Sequence, residues 1–283
     1  VSQWRLYIQL MRLDKPIGIL LLLWPTLWGL WIAADGFPPS VVLLVFLAGV
    51  VLMRSAGCII NDYADREVDR HVRRTINRPI TSGAISAKHA LIMFLLLVLI
   101  SFGLVLLMNQ LVIQLSFGAI VLATLYPFMK RYTDLPQLFL GAAFGWAIPM
   151  AFAAVTGSVP MTAWILFLAT LCWAVVYDTM YAMVDREDDL KVGVRSTAIL
   201  FGSWDRFMIG LFQLIMLGLL VLAGDGFELG GYYNSGLLTA AALAGYHQWL
   251  IRNREPQRCF QAFLHNHWIG LAVFVGIVVD VSA

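Results

Sequence analysis

Residues 40–60 read SVVLLVFLAGVVLMRSAGCII and run directly into Asn61-Asp62-Tyr63-Ala64-Asp65-Arg66-Glu67-Val68-Asp69. The apolar part is 21 residues long with one charge, Arg54, and about 20 such residues in a helix cross the ~30 Å hydrocarbon core of a bilayer. Unpaired backbone groups are too costly in that layer, so the chain crosses it as a helix that pairs them internally. Eight more runs of this kind flank it, at 16–34, 89–108, 111–128, 135–155, 162–183, 206–224, 232–250 and 264–281. The sequence therefore predicts an all-α, polytopic membrane protein with nine transmembrane helices, forming one domain over residues 1–283.

Composition agrees. The chain is 60% hydrophobic and 13% charged, against about a quarter charged in soluble domains. A net charge of +2 gives no basic field for nucleic acid. Cys58, Cys172 and Cys259 are scattered and form no CxxC pair, so they read as packing residues rather than a disulfide or zinc framework. The opening VSQWRLYIQLMRLDKPIG lacks the order of basic, apolar and small residues of a removable signal, so none is expected.

Charge also sets the orientation. The connections beginning near Asp35, Asn109, Thr156 and Gly224 hold no Lys or Arg, whereas those beginning near Asn61, Lys130, Asp185 and Ile251 hold many. The positive-inside rule places the basic side, and the N-terminus with it, in the cytoplasm.

Two long polar loops on that side open with carboxylates where an apolar span ends. The second reads YDTMYAMVDREDD from Tyr177, and its VDREDD from Val184 repeats ADREVD from Ala64 at four of six places, which marks an internal repeat whose copies face one cavity. If the helices continue, spacing of four puts Asn61, Asp65 and Asp69 on one face and Tyr181, Asp185 and Asp189 on the other copy's face, joined by Asp178. Carboxylates crowded at a membrane boundary repel one another and lose hydration, so ionised ones need cations. Hard oxygen donors suit Mg²⁺, which takes one or two carboxylates plus substrate phosphates.

Basic residues follow both motifs: Arg73, Arg74, Arg78 and Lys88 after the first, Lys191 and Arg195 after the second, with Lys130 and Arg131 as a third cluster. Acids beside cations describe a site in which metal ions bridge to a diphosphate while Lys and Arg hold its other oxygens. A divalent-cation transporter would instead set its ligands near the midplane, and a purely structural protein would not need the repeated motifs. The five histidines form no obvious ligand set; His265 and His267 read as headgroup contacts.

NDxxDxxxD from Asn61 and YDTxYAxxDxxDD from Tyr177 resemble the UbiA-type intramembrane prenyltransferases, and so do DKPIG at 14–18, LLLWPTLW at 21–28, NRPITSGA at 77–84, YPFMKRYTDLPQ at 126–137 and STAILFG at 196–202. The one departure is Arg195, where Lys is expected. The resemblance implies nine helices around a central cavity, capped by cytoplasmic loops and open to membrane lipid for a long tail. It implies that Asn61, Asp65, Asp69, Asp185 and Asp189 engage Mg²⁺ and the diphosphate of a polyprenyl diphosphate, that Lys130 and Arg74 contact that diphosphate, and that the acceptor is 4-hydroxybenzoate in the bacterial inner membrane. A naphthoate, haem or chlorophyll precursor is the competing acceptor. Arg131 is expected to hold the acceptor carboxylate, because its planar fork matches two oxygens whereas Lys130 is a compact charge suited to phosphate. Trp24, Trp28, Phe144 and Trp146 could line the cavity.

Overall fold

The apolar runs fold as helices, and the computed structural model describes residues 3–71 and 74–283. No strand occurs among the described residues. Arg73 lies outside them.

A short amphipathic helix, α1 (Gln3–Leu10), precedes α2 (Ile17–Ala34), α3 (Ser40–Asp65), α4 (Ala87–Val105) and α5 (Gln110–Met129). The next span is broken into α6 (Pro136–Gly145) and α7 (Ala147–Thr156). Pro149 causes the break, because it has no N–H for the carbonyl four residues earlier, that of Gly145, and its ring clashes there. Helix α8 (Met161–Val192) follows, then α9 (Thr197–Phe201), α10 (Asp205–Gly226) and α11 (Gly231–Leu250), and a last span divided into α12 (Pro256–His265) and α13 (His267–Asp280). Asn266 marks that division. It is fully buried, donates to the carbonyl of Ala262 at 2.8 Å and accepts from the Trp173 indole of α8 at 3.2 Å.

Eight spans are long and apolar enough to cross a membrane among the described residues. The run at 232–250 forms α11, which has the length, but Asn234, Thr239, His247 and Gln248 make it more polar. Its N-terminus is capped from the end of the chain, where Asp280 accepts from the N–H groups of Gly230, Tyr232 and Tyr233.

The two helices that carry the acidic motifs are the longest. At 1.5 Å per residue α3 (26 residues) and α8 (32 residues) reach about 39 and 48 Å, more than the ~30 Å apolar layer. Both therefore lift their C-terminal carboxylates clear of it. Helix α8 packs against α6, α10 and α12, while α3 packs against α2, α4 and α5. The loop after α3 folds back over the bundle, with Ile80 and Ile85 buried against Leu10 of α1 and Ile59 of α3. On the other side Trp28 stacks on Trp173, centroids 5.5 Å apart, and donates to the carbonyl of Gly270 at 3.0 Å. A Cβ at Gly270 would come within 2.4 Å of Trp24 and 2.6 Å of Trp173, so only glycine allows α13 this close.

Candidate active site

The first acidic motif is split by the end of its helix. Asn61, Asp62 and Asp65 lie on the last turn of α3, but Asp69 starts a separate turn, Asp69–His71. The shared helical face expected for Asn61, Asp65 and Asp69 thus holds for the first two only. Asp65 is 3% exposed; its Oδ2 pairs with Lys130 and accepts from Asn61 at 3.2 Å. Its Oδ1 is buried with no hydrogen-bond partner. Asp69 accepts from Arg78 at 2.7 Å, and the same guanidinium reaches Asp62 at 3.1 Å. Arg12, beyond α1, binds both oxygens of Asp62 at 3.0 Å. Burial works against the charge of Arg78, but Asp62 and Asp69 outweigh it and raise its pKa above the ordinary guanidinium value.

The second motif stays helical throughout, as expected. Tyr181, Asp185 and Asp189 follow one another on α8, with Asp178 two turns before Asp185. Arg74, from the loop of the first copy, donates through Nε to Asp185 Oδ1 at 3.0 Å, pairs through Nη2 with Oδ2 and lies 4.8 Å from the Tyr181 ring. This contact spans 111 residues and brings the two copies to one place. Asp189 feels the charges of Asp185, Lys130, Arg74 and Asp65. Asp178 sits deeper, with Gln137, Arg54 and Lys130 around it.

Below these groups lies a cavity of about 330 Å³ between α2, α3, α4, α5 and the α6–α7 span. Its wall is apolar apart from Arg54, Tyr126 and a few hydroxyls. Arg54 stands at the polar end, beside Cys58 and 5.8 Å from the Phe144 ring, and its Nε is buried without a partner. Gly18 makes the room: a Cβ there would lie 2.2 Å from that Nε. In the sequence Arg54 is enclosed by an apolar run. The signal was present, since a charge inside a membrane span is costly and marks function. Asp62 lies inside the first motif but off the face shared by Asn61 and Asp65, and only the fold shows its two arginines.

Other expected members stand at the rim. Lys191 is 70% exposed and pairs with Asp188 at 3.1 Å. Arg195 donates to the Tyr132 carbonyl at 3.3 Å and lies 3.8 Å from Asp134. Arg131 is exposed, donates to the Ala64 carbonyl at the end of α3 and rests 5.7 Å from the Phe128 ring. Of the four aromatic residues proposed for the cavity, Phe144 and Trp146 line it and Trp28 and Trp24 do not. His265 meets His247 of α11 at 3.1 Å, a pairing that sequence spacing does not reveal. Cys58, Cys172 and Cys259 are free and buried.

Hard oxygen donors, an orphaned carboxylate oxygen and the cations Arg74, Arg78 and Lys130 thus gather at the ends of the helices that bound an apolar cavity. Among the described residues no three His, Cys, Asp or Glu side chains converge to hold a metal ion unaided. The oxygen donors of Asn61, Asp65, Asp69, Asp185 and Asp189 are of the hard type that suits Mg²⁺ when substrate oxygens complete its shell. Such a site suits an anionic headgroup on a long apolar tail, so fold and site together define an intramembrane enzyme acting on a lipid anion. Residues 22–270 match the model of the UbiA prenyltransferase family, and the chain belongs to that family.

Its curated relatives include a 4-hydroxybenzoate octaprenyltransferase of Saccharophagus degradans, 60% identical over 97% of this chain and 92% of that protein. Another of the same name, from Ectopseudomonas mendocina, is 61% identical over 97% of this chain and 93% of its own length. Among solved structures, the apo form of a UbiA homolog from Aeropyrum pernix K1 superposes with a TM-score of 0.81 at 25% identity, covering 93% of this chain and 97% of that one. A UbiA homolog from Archaeoglobus fulgidus bound to GPP and Mg²⁺ shares the fold with a TM-score of 0.72 at 18% identity, covering 98% and 100%.

Proposed function

We propose that the protein transfers a polyprenyl chain from a polyprenyl diphosphate to 4-hydroxybenzoate, at the carbon ortho to the hydroxyl, releasing diphosphate in a step of ubiquinone biosynthesis. The whole chain acts as one transferase domain in the bacterial inner membrane, with the N-terminus and acidic loops cytoplasmic. The observation that carries this reading is the junction itself: carboxylates paired with Arg74 and Lys130 next to an apolar cavity within the bundle. Full-length relatives with that name support the acceptor.

Asp65, Asp69, Asp185 and Asp189, with Asn61, would hold Mg²⁺. The ion would offset the charge that grows on the departing diphosphate. Lys130 and Arg74 rest against Asp65 and Asp185, so phosphate oxygens can draw these N–H groups across without new charges having to be buried. Arg78 and Arg12 hold Asp69 and Asp62 in place. The folded-back loop, packed on α1 and α3, would keep water from an allylic carbon that is becoming cationic. Asp178, two turns before Asp185 on α8, would complete the acidic face that meets the metal and diphosphate.

For the acceptor carboxylate we infer Arg54 rather than Arg131. Arg54 lines the cavity and keeps one buried N–H, beside the bare Gly18, without a partner, whereas Arg131 spends a donor on capping α3. Arg54→Leu is expected to raise the KM for hydroxybenzoate about ten- to a hundredfold, the loss of a charge-assisted hydrogen bond, and Lys130→Leu to raise that for prenyl diphosphate. Steady-state kinetics with each substrate varied decides the assignment. A raised hydroxybenzoate KM in Arg131→Leu, with none in Arg54→Leu, would return the role to Arg131.

Purified protein in detergent, given labelled prenyl diphosphate and a panel of phenolic, naphthoate and tetrapyrrole acceptors, tests the function. The expected product is 3-polyprenyl-4-hydroxybenzoate, with turnover lost in chelator and restored by Mg²⁺. Use of another acceptor alone, or full activity in chelator, would contradict it.

A further inference from the structure

Trp146 stands at the bend between α6 and α7 and forms part of the cavity wall. Its indole is fixed from three directions. Nε1 donates to the Leu115 carbonyl of α5 at 2.8 Å. Trp164 and Phe167 of α8 meet the ring edge-on, with centroids 5.9 and 6.1 Å away. The benzenoid side lies against the bare α-carbon of Gly118, where a Cβ would come within 2.7 Å of Cζ2 and 3.0 Å of Cε2. Gly118 is absent from the cavity wall while Trp146 is in it, so the glycine supports the ring from behind.

We propose that the Trp146–Gly118 pair sets the bore of the tail channel and thereby the prenyl chain length the protein accepts. The inference rests on the reading that this cavity takes the tail. The channel begins at Arg54 and Tyr126 and ends near Met108 and Val112, at the other end of α5. Gly118 lies eleven residues before Met129, about 17 Å below the acidic end at 1.5 Å per residue. The first prenyl units lie above that level, and later ones must pass Trp146. A side chain at position 118 has one direction in which to push the ring, because Trp164 and Phe167 block α8's side and the cavity is open.

Gly118→Ala tests this without threatening the helix, since Ala is the better helix former and the three nearest atoms its Cβ meets all belong to Trp146. The variant is expected to keep geranyl diphosphate turnover near wild type and to lose roughly tenfold or more in kcat/KM for octaprenyl diphosphate, the scale on which apolar pockets discriminate size. Gly118→Ser should behave alike. Adding Trp146→Ala to Gly118→Ala removes the displaced ring and should restore long-chain use; Trp146→Phe serves if the Ala variant does not fold. An unchanged ratio of long- to short-chain kcat/KM in both Gly118 variants overturns the inference, as does a double variant with no recovery. Wild-type protein inert toward every prenyl diphosphate would overturn the reading beneath it instead.

Discussion

Asp65→Ala is expected to lower kcat/KM by about a hundred- to a thousandfold, the usual result of removing one preorganised group from the stabilisation of developing charge. Asp65 is the most converged member of the site: it meets Lys130 and Asn61 and keeps a buried oxygen free. Folding should suffer less than activity. Asp65 is buried, so its loss breaks an ion pair from one side, but only one cation is left behind, and the Lys130 side chain, 22% exposed, can turn its ammonium to water. Initial rates over a Mg²⁺ titration, with thermal unfolding in the same detergent, separate the two effects. Asp185→Ala should match it, because Arg74 is also partly in solvent. Near-normal turnover in both variants would remove the carboxylates from the reaction.

The largest stability loss is expected at Asp205, away from the acidic motifs. This side chain is fully buried and joins three segments of the chain. Arg186 of α8 pairs with it, Arg254 of the α11–α12 connection donates at 3.0 and 3.1 Å, and the Arg206 N–H donates at 2.6 Å. Asp205→Ala would leave two guanidinium groups without their shared anion. Breaking a buried ion pair from one side costs about 3–5 kcal/mol, and the partial exposure of Arg186 and Arg254 points to the lower end. An unfolding midpoint about 6–12 °C below wild type is the expected reading. Arg186 adjoins Asp185, so loosening it should also weaken metal and prenyl diphosphate use more than acceptor use. An unchanged midpoint would show that the arginines find water as good a partner.

How much of this was legible beforehand differs between the helices and the site. The repeat from Ala64 and Val184 and the apolar runs were read directly, and the structure makes each run a helix. Asp69 shows where such reading stops, for spacing of four describes a face only while the helix lasts, and α3 ends at Asp65. Lys191 and Arg195 show a second limit. Both follow a motif in the chain, yet one turns to Asp188 and the other ties two loops together.

The sequence by itself determined which segments cross the bilayer, on which side the charges gather and which carboxylates are repeated, because span length, charge asymmetry and motif spacing are local properties read along one chain. Tertiary structure alone decided that Arg74 reaches Asp185, that Arg12 and Arg78 share Asp62, that Arg54 meets the cavity and that Trp146 leans on Gly118. Those partnerships depend on how far each helix is rotated and shifted against its neighbours. That choice is made by side chains interlocking across the bundle, where a turn of one residue moves a group by about 100°.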